Sequence, residues 1–295
     1  MPVVINLLLA AIQPRTFFIP CASIILGSGF AAYSGIVDGN LFLSLLLLTI
    51  LAQVIFNLSN DFQQAFVNNA SQQKNPVQGK IKQQMLKLIL ACFLVWCLGL
   101  TALMSVSVNG GATAYLLVMA LFLLVLAIVR FKTLFKSDNS KPTSALNLLV
   151  YGVISGVLPT LISYYLHTSE LNIIITLLAI NCGLLASSLV LSQKIVSQLI
   201  LQSSKQIGVL TAAVATTLKW QKIIVISSTF MTGLIGYYFA LPFLTWCFIF
   251  ALPSIVATIA TIEHVTEIDV AQSQFTKLCI AIFAYWVLWV AGLMF

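Results

Sequence analysis

The chain has 295 residues, 60% of them hydrophobic and only 7% charged, with a mean hydropathy of +1.06. That composition excludes a water-soluble domain and describes a polytopic membrane protein. The net charge of +7 would suit nucleic acid, but the basic residues sit in short segments between apolar runs, where the positive-inside rule places them, so no nucleic-acid partner is expected.

Apolar runs measured against a hydrocarbon core of about 30 Å, at about 1.5 Å per residue, predict an all-α bundle of about nine membrane spans. The whole chain, 1–295, is read as a single membrane domain. Span 1 covers 16–33, with Pro14 and Pro20 at its start, where a missing N–H costs little. A turn at Asp38-Gly39-Asn40 leads to span 2 at 41–57, and a polar loop over 59–82 leads to span 3 at 85–105. Asn109-Gly110-Gly111 is an uncharged turn before span 4 at 112–129. A basic loop over 130–142 precedes span 5, which ends near residue 166, and span 6 covers 171–191. A second polar loop fills 192–222, spans 7 and 8 cover 223–240 and 242–262, and a last loop at 263–277 precedes span 9. Its aromatic run, Tyr285, Trp286 and Trp289, reads as an interfacial belt or lipid-facing packing. No basic stretch precedes the first apolar run, so a cleaved signal peptide is not expected.

With the N-terminus in the cytoplasm, all fourteen Lys and Arg residues fall on the cytoplasmic side, and the opposite loops around Asp38, Asn109, Glu170 and Tyr237 carry none. The six cysteines form no C-x-x-C pair and read as small core residues. The two polar loops share a Gln-, Ser- and Lys-rich character that suggests a four-helix internal duplication.

The stretch Asn57-Leu58-Ser59-Asn60-Asp61-Phe62-Gln63-Gln64, continuing to Asn75-Pro76-Val77-Gln78-Gly79-Lys80-Ile81, organises the chain. Its opening N-x-x-N-D resembles the first signature of the UbiA superfamily of intramembrane prenyltransferases, and its tail resembles that family's R-P-L-x-S-G-x-I segment without the arginine. Asn139-Ser140-Lys141-Pro142, Tyr164-Tyr165-Leu166-His167-Thr168 and Gly183-Leu184-Leu185-Ala186-Ser187 resemble strings of one branch, the 1,4-dihydroxy-2-naphthoate polyprenyltransferases of menaquinone synthesis. The resemblance implies a bundle around a central cavity, opening to the cytoplasm and to lipid, in a bacterial inner membrane. It also implies Mg2+ held between two acidic clusters against a polyprenyl diphosphate.

Against that pattern, Asp61 stands alone. Gln64 occupies the second acidic position, and Asn68, Asn69 and Ala70 lie where a third acid would fall. In the second loop Gln193, Lys194, Ser197, Leu199 and Leu201 replace the paired asparagines and acids, and no Asp or Glu occurs between Leu171 and Ile262. Mg2+ takes near-octahedral oxygen ligands and is drawn in by carboxylate charge, which neutral amides do not supply.

The candidate binding residues are Asn57, Asn60 and Asp61, with Lys80, Lys82, Lys141, Lys194 and Lys205 as a diphosphate cradle. Asp61 reads either as a residual metal or donor ligand or as an exposed carboxylate at a helix end. Asn57 and Asn60 read either as residues that line a polar cavity or bond between helices, or as substrate contacts. The lysines read either as the cradle or as plain positive-inside charges, and Glu263, Glu267 and Asp269 as a solvated loop. Two functions stay open. One is prenyl transfer onto a dihydroxynaphthoate ring, with Mg2+. The other is a non-catalytic relative that binds a prenyl diphosphate or quinone among the membrane lipids, or supports a membrane-protein partner.

Overall fold

A computed structural model describes residues 16–66, 76–106, 145–203, 212–264 and 268–295. Every described element is helical: α1 Phe18–Tyr33, α2 Gly39–Phe66, α3 Pro76–Val106, α4 Ala145–Gly152, a π-helical turn Val153–Val157, α5 Leu158–Thr168, α6 Ile173–Ser203, α7 Ala212–Tyr238, a 3-10 helix Phe243–Ala251, α8 Leu252–His264 and α9 Ile268–Met294. Among these residues four helical stretches are long and apolar enough to cross a membrane: Leu148–Thr168, Ile173–Val196, Phe243–Glu263 and Val270–Met294. Shorter apolar stretches run over Phe18–Tyr33, Gly39–Ile55 and Gln83–Gly99. The architecture is that of an α-helical membrane protein. Predicted span 4 lies outside the described residues, and predicted span 7 corresponds to α7, which is not among the four long apolar stretches.

Three predicted loops are largely helix. α2 runs on to Phe66 and α3 starts at Pro76, α6 reaches Ser203 and α7 starts at Ala212, and α8 ends at His264 just before α9 begins at Ile268. A polar sequence ends a membrane span without ending a helix, because the backbone still satisfies itself best by continuing its i to i−4 bonds beyond the hydrocarbon.

Cross-helix contacts set the levels of the helices. At one end Asn57 of α2 meets Thr16 ahead of α1, Gln221 of α7 meets Ser192 of α6, and Lys222 of α7 meets Glu263 of α8. At the other end the backbone N–H of Asp38 donates to His167 Nδ1 over 3.4 Å, and the 3-10 helix at Leu244 crosses Gly292 of α9. α3 packs antiparallel on α2, with Leu88 and Cys92 against Val54 and Leu58 and the Trp96 indole donating to the Leu48 carbonyl at 3.0 Å. Asp38 caps α2 by accepting from Asn40 N at 2.8 Å.

A close junction joins α1, the π turn and α6. Gly152 and Gly156 face Gly183, and a Cβ at Gly156 would lie 2.5 Å from the Gly183 backbone. Small residues allow backbones to approach this closely in a membrane, where packing rather than the hydrophobic effect drives association. Pro159 has no N–H to offer the carbonyl four residues back, that of Ser155. Ser23 of α1 fills the gap, its hydroxyl donating to the Ser155 carbonyl at 2.8 Å. Ser187 of α6 donates likewise to the Leu148 carbonyl at 2.8 Å. Serines on neighbouring helices thus supply donors to carbonyls of this irregular stretch, as a backbone at membrane depth requires.

The main core surrounds α9. Tyr285, Trp286 and Trp289 are each fully buried, which corrects the reading of this run as lipid-facing or interfacial. Aromatic content alone does not distinguish a belt from a core; α9 packs against α1, α6, α8 and the 3-10 helix, and its aromatics fill the space between them.

Candidate ligand-binding region

Asn57 is buried on α2, donates from Nδ2 to Thr16 Oγ1 at 2.9 Å and accepts from Gln53 Nε2 at 3.3 Å. It thus ties α2 to the start of α1. Asn60 and Asp61 lie on the next turn of the same helix rather than in a loop, and Gln64 follows one turn later. Lys80 and Lys82 lie in the first turns of α3, which its antiparallel packing returns to this end of α2.

Lys194 is half-buried on α6. It shares that end, since Cys182 of α6 stands level with Ser23 of α1 and Lys194 lies further along toward Ser203. The structure therefore brings Asn57, Asn60, Asp61, Lys80, Lys82 and Lys194 to one end of the bundle. Lys141 and Lys205 lie outside the described residues, as do Asn68, Asn69, Ala70 and Glu267.

Glu263 does not lie in a solvated loop. It belongs to α8 and forms an ion pair with Lys222 of α7 at 2.6 Å, both side chains partly exposed. Asp269 likewise lies in the first turn of α9.

A polar seam between α6, α7 and α9 escaped the sequence reading. Asn181 of α6 donates to Thr232 Oγ1 and accepts from the Ser228 hydroxyl, both on α7. The Tyr285 hydroxyl of α9 donates to Thr232 Oγ1 at 2.6 Å, and Thr232 passes its own proton to the Ser228 carbonyl at 3.1 Å. Toward the lysine-rich end the seam continues to Gln221, whose Nε2 donates to Ser192 Oγ at 2.6 Å, while its Oε1 finds no donor. The available signal was a single Asn in an otherwise apolar run facing Ser228 and Thr232, which lie one helical turn apart. At the opposite end His167 Nε2 lies 3.1 Å from Ser28 Oγ, which lies 2.7 Å from Ser163 Oγ.

Chemically the region offers amides, hydroxyls and ammonium groups. Among the described residues no group of three or more His, Cys, Asp or Glu side chains could hold a metal ion. The donor set does not fit a paired Mg2+ site, because Asp61 is the lone carboxylate of the first motif and the second has none. No family model matches this chain, and no curated protein matches it.

Proposed function

We propose that this chain is a UbiA-like membrane bundle, related to 1,4-dihydroxy-2-naphthoate polyprenyltransferases, that binds an isoprenoid with its head group at the lysine-rich end and has lost most or all Mg2+-dependent prenyl transfer. The supporting observation is the gathering of Asn60, Asp61, Lys80, Lys82 and Lys194 at one end, in a sequence with a single carboxylate across both motifs. A prenyl diphosphate presents a multiply charged head group, and each charge-assisted hydrogen bond from lysine contributes about 1.5–3 kcal/mol. The tail gains about 0.8 kcal/mol per CH2 against water but little against lipid, so selectivity comes from the head group. The lysine-rich end faces the cytoplasm of a bacterial inner membrane in this reading.

The test is competition binding of geranylgeranyl diphosphate, with and without EDTA, in the wild type and in Lys80→Ala and Lys82→Ala variants. Affinity should ignore EDTA and fall in both variants. Binding abolished by EDTA and indifferent to both substitutions would mean that Asp61 holds a working metal, which favours the second reading, an active aromatic prenyltransferase.

A further inference from the structure

Two buried donors in the core of α9 have no acceptor. The indole Nε1 groups of Trp286 and Trp289 are fully buried and meet no hydrogen-bond partner, and the two rings are edge-to-face with centroids 6.3 Å apart. Elsewhere the fold pairs such groups. The Trp96 indole reaches the Leu48 carbonyl, and beside the two tryptophans the Tyr285 hydroxyl reaches Thr232. An orphaned donor in an apolar interior forfeits its hydration for nothing, and two neighbouring ones mark a place built for an acceptor. Phe283 of α9 touches Phe18 of α1, and Val290 of α9 packs over Gly29 of α1. Trp286 lies between these two contacts in sequence and so falls on the α1-facing side of α9.

We propose that Trp286 and Trp289 form a hydrogen-bonding site for the carbonyl oxygen of an apolar, membrane-borne molecule. Both groups donate and neither accepts, so the ligand atom must be an acceptor. The pair lies inside the membrane-crossing stretch Val270–Met294, so the ligand arrives through lipid. It is neutral, because an anion here would lose its hydration without a counter-charge; the nearest α9 lysine in sequence is Lys277, more than two helical turns earlier. Both rings are closed off by the packing around α9, so binding requires the helices packed on α9 to part. Two sources share this chemistry, a quinone ring and a lipid ester. The quinone source rests on the isoprenoid-binding reading above; the ester source does not.

The test uses the full chain in nanodiscs and equilibrium binding of menaquinone-4, of dioleoylglycerol, and of a geranylgeranylated naphthalene that lacks carbonyls. Wild type should bind one of the two carbonyl compounds, which identifies the source, and bind the hydrocarbon far more weakly. The Trp286→Phe/Trp289→Phe double variant should bind on the order of tenfold more weakly. The infrared carbonyl band of the bound ligand should shift down in wild type and return toward its free position in the variant. Should the smaller phenyl rings compromise folding, benzothienylalanine at both positions keeps the indole shape without the N–H and should give the same loss. Binding of neither carbonyl compound, equal binding in the donor-free proteins, or equal binding of the hydrocarbon overturns the proposal. Because the diphosphate assay depends on lysines at the bundle end, its failure alongside a shifted carbonyl band would sink only the head-group reading.

Discussion

At the scale of single residues, the junction of Pro159, Ser155, Ser23 and the facing glycines shows how a polar atom is accommodated inside an apolar bundle. Proline leaves a carbonyl without its helical donor, Ser23 of α1 supplies one, and Gly27 of α1 against Thr160 of α5 brings the two segments close enough for it to reach, while Gly156 against Gly183 holds α6 to the same turn. Gly156→Ala would place a methyl group 2.5 Å from the Gly183 backbone, where no flexible side chain can yield. We expect a loss of about 1–3 kcal/mol of stability, read as a lowered unfolding midpoint in detergent. Gly39→Ala, with open space around its Cβ position, should change little. Equal behaviour of the two variants would contradict the close approach of α6 to the π turn.

At the scale of elements, α2 carries Asn57 to Gln64 and α6 carries Gln193 to Leu201 on continuous helix, and neither stretch supplies paired carboxylates. We therefore expect no EDTA-sensitive prenylation of 1,4-dihydroxy-2-naphthoate by the purified protein, measured as radiolabelled product. Gln64→Asp alone should not restore it, because α6 would still lack its half of a two-metal site; robust turnover by either protein would refute this. The seam that joins α6, α7 and α9 yields a separate expectation. Asn181→Leu, Thr232→Val and the double variant form a cycle whose coupling should be about 0.6–1.7 kcal/mol, modest because polar groups in a membrane find other partners when helices separate. Zero coupling would mean that the Asn181–Thr232 bond does not hold these helices together.

At the scale of the whole molecule, charge is distributed along the bundle axis. The described lysines, Lys80, Lys82, Lys87, Lys194, Lys219, Lys222 and Lys277, lie in the half that contains Asn57, Gln221 and Glu263. The opposite end carries Asp38 and Glu170 and, among the described residues, no lysine or arginine. Val106 and Ala145 also fall at opposite ends, since α3 returns to the Asp38 end and α5 finishes there at His167. This pattern supports the proposed nine-span topology with the N-terminus in the cytoplasm. Single cysteines at Asn109 and Asn139, in a background with the native cysteines replaced, should label from opposite sides of sealed vesicles. Labelling of both from one face would rule that topology out.

Composition and the placement of lysines were enough to specify a membrane bundle and the positions of most helix centres, because hydrocarbon accepts little besides apolar helix and repels charge. The start of α1 at Phe18, the Asp38 turn and the breaks near Glu170 and Leu241 all follow from the local sequence. The ends of α2, α6 and α8 on the polar side did not, since the edge of the membrane changes side-chain preference without interrupting backbone hydrogen bonding. Nor could the strings around Asn57 and Lys194 reveal which partners those residues meet. Whether Tyr285, Trp286 and Trp289 face lipid or core was decided only by tertiary packing, because inside a membrane both surroundings are apolar and a buried face looks the same in sequence as an outward one. The same holds for the Asn181 seam and the two unpaired indoles: a polar atom in an apolar run announces that it needs a partner, and only the packed helices show whether it has one.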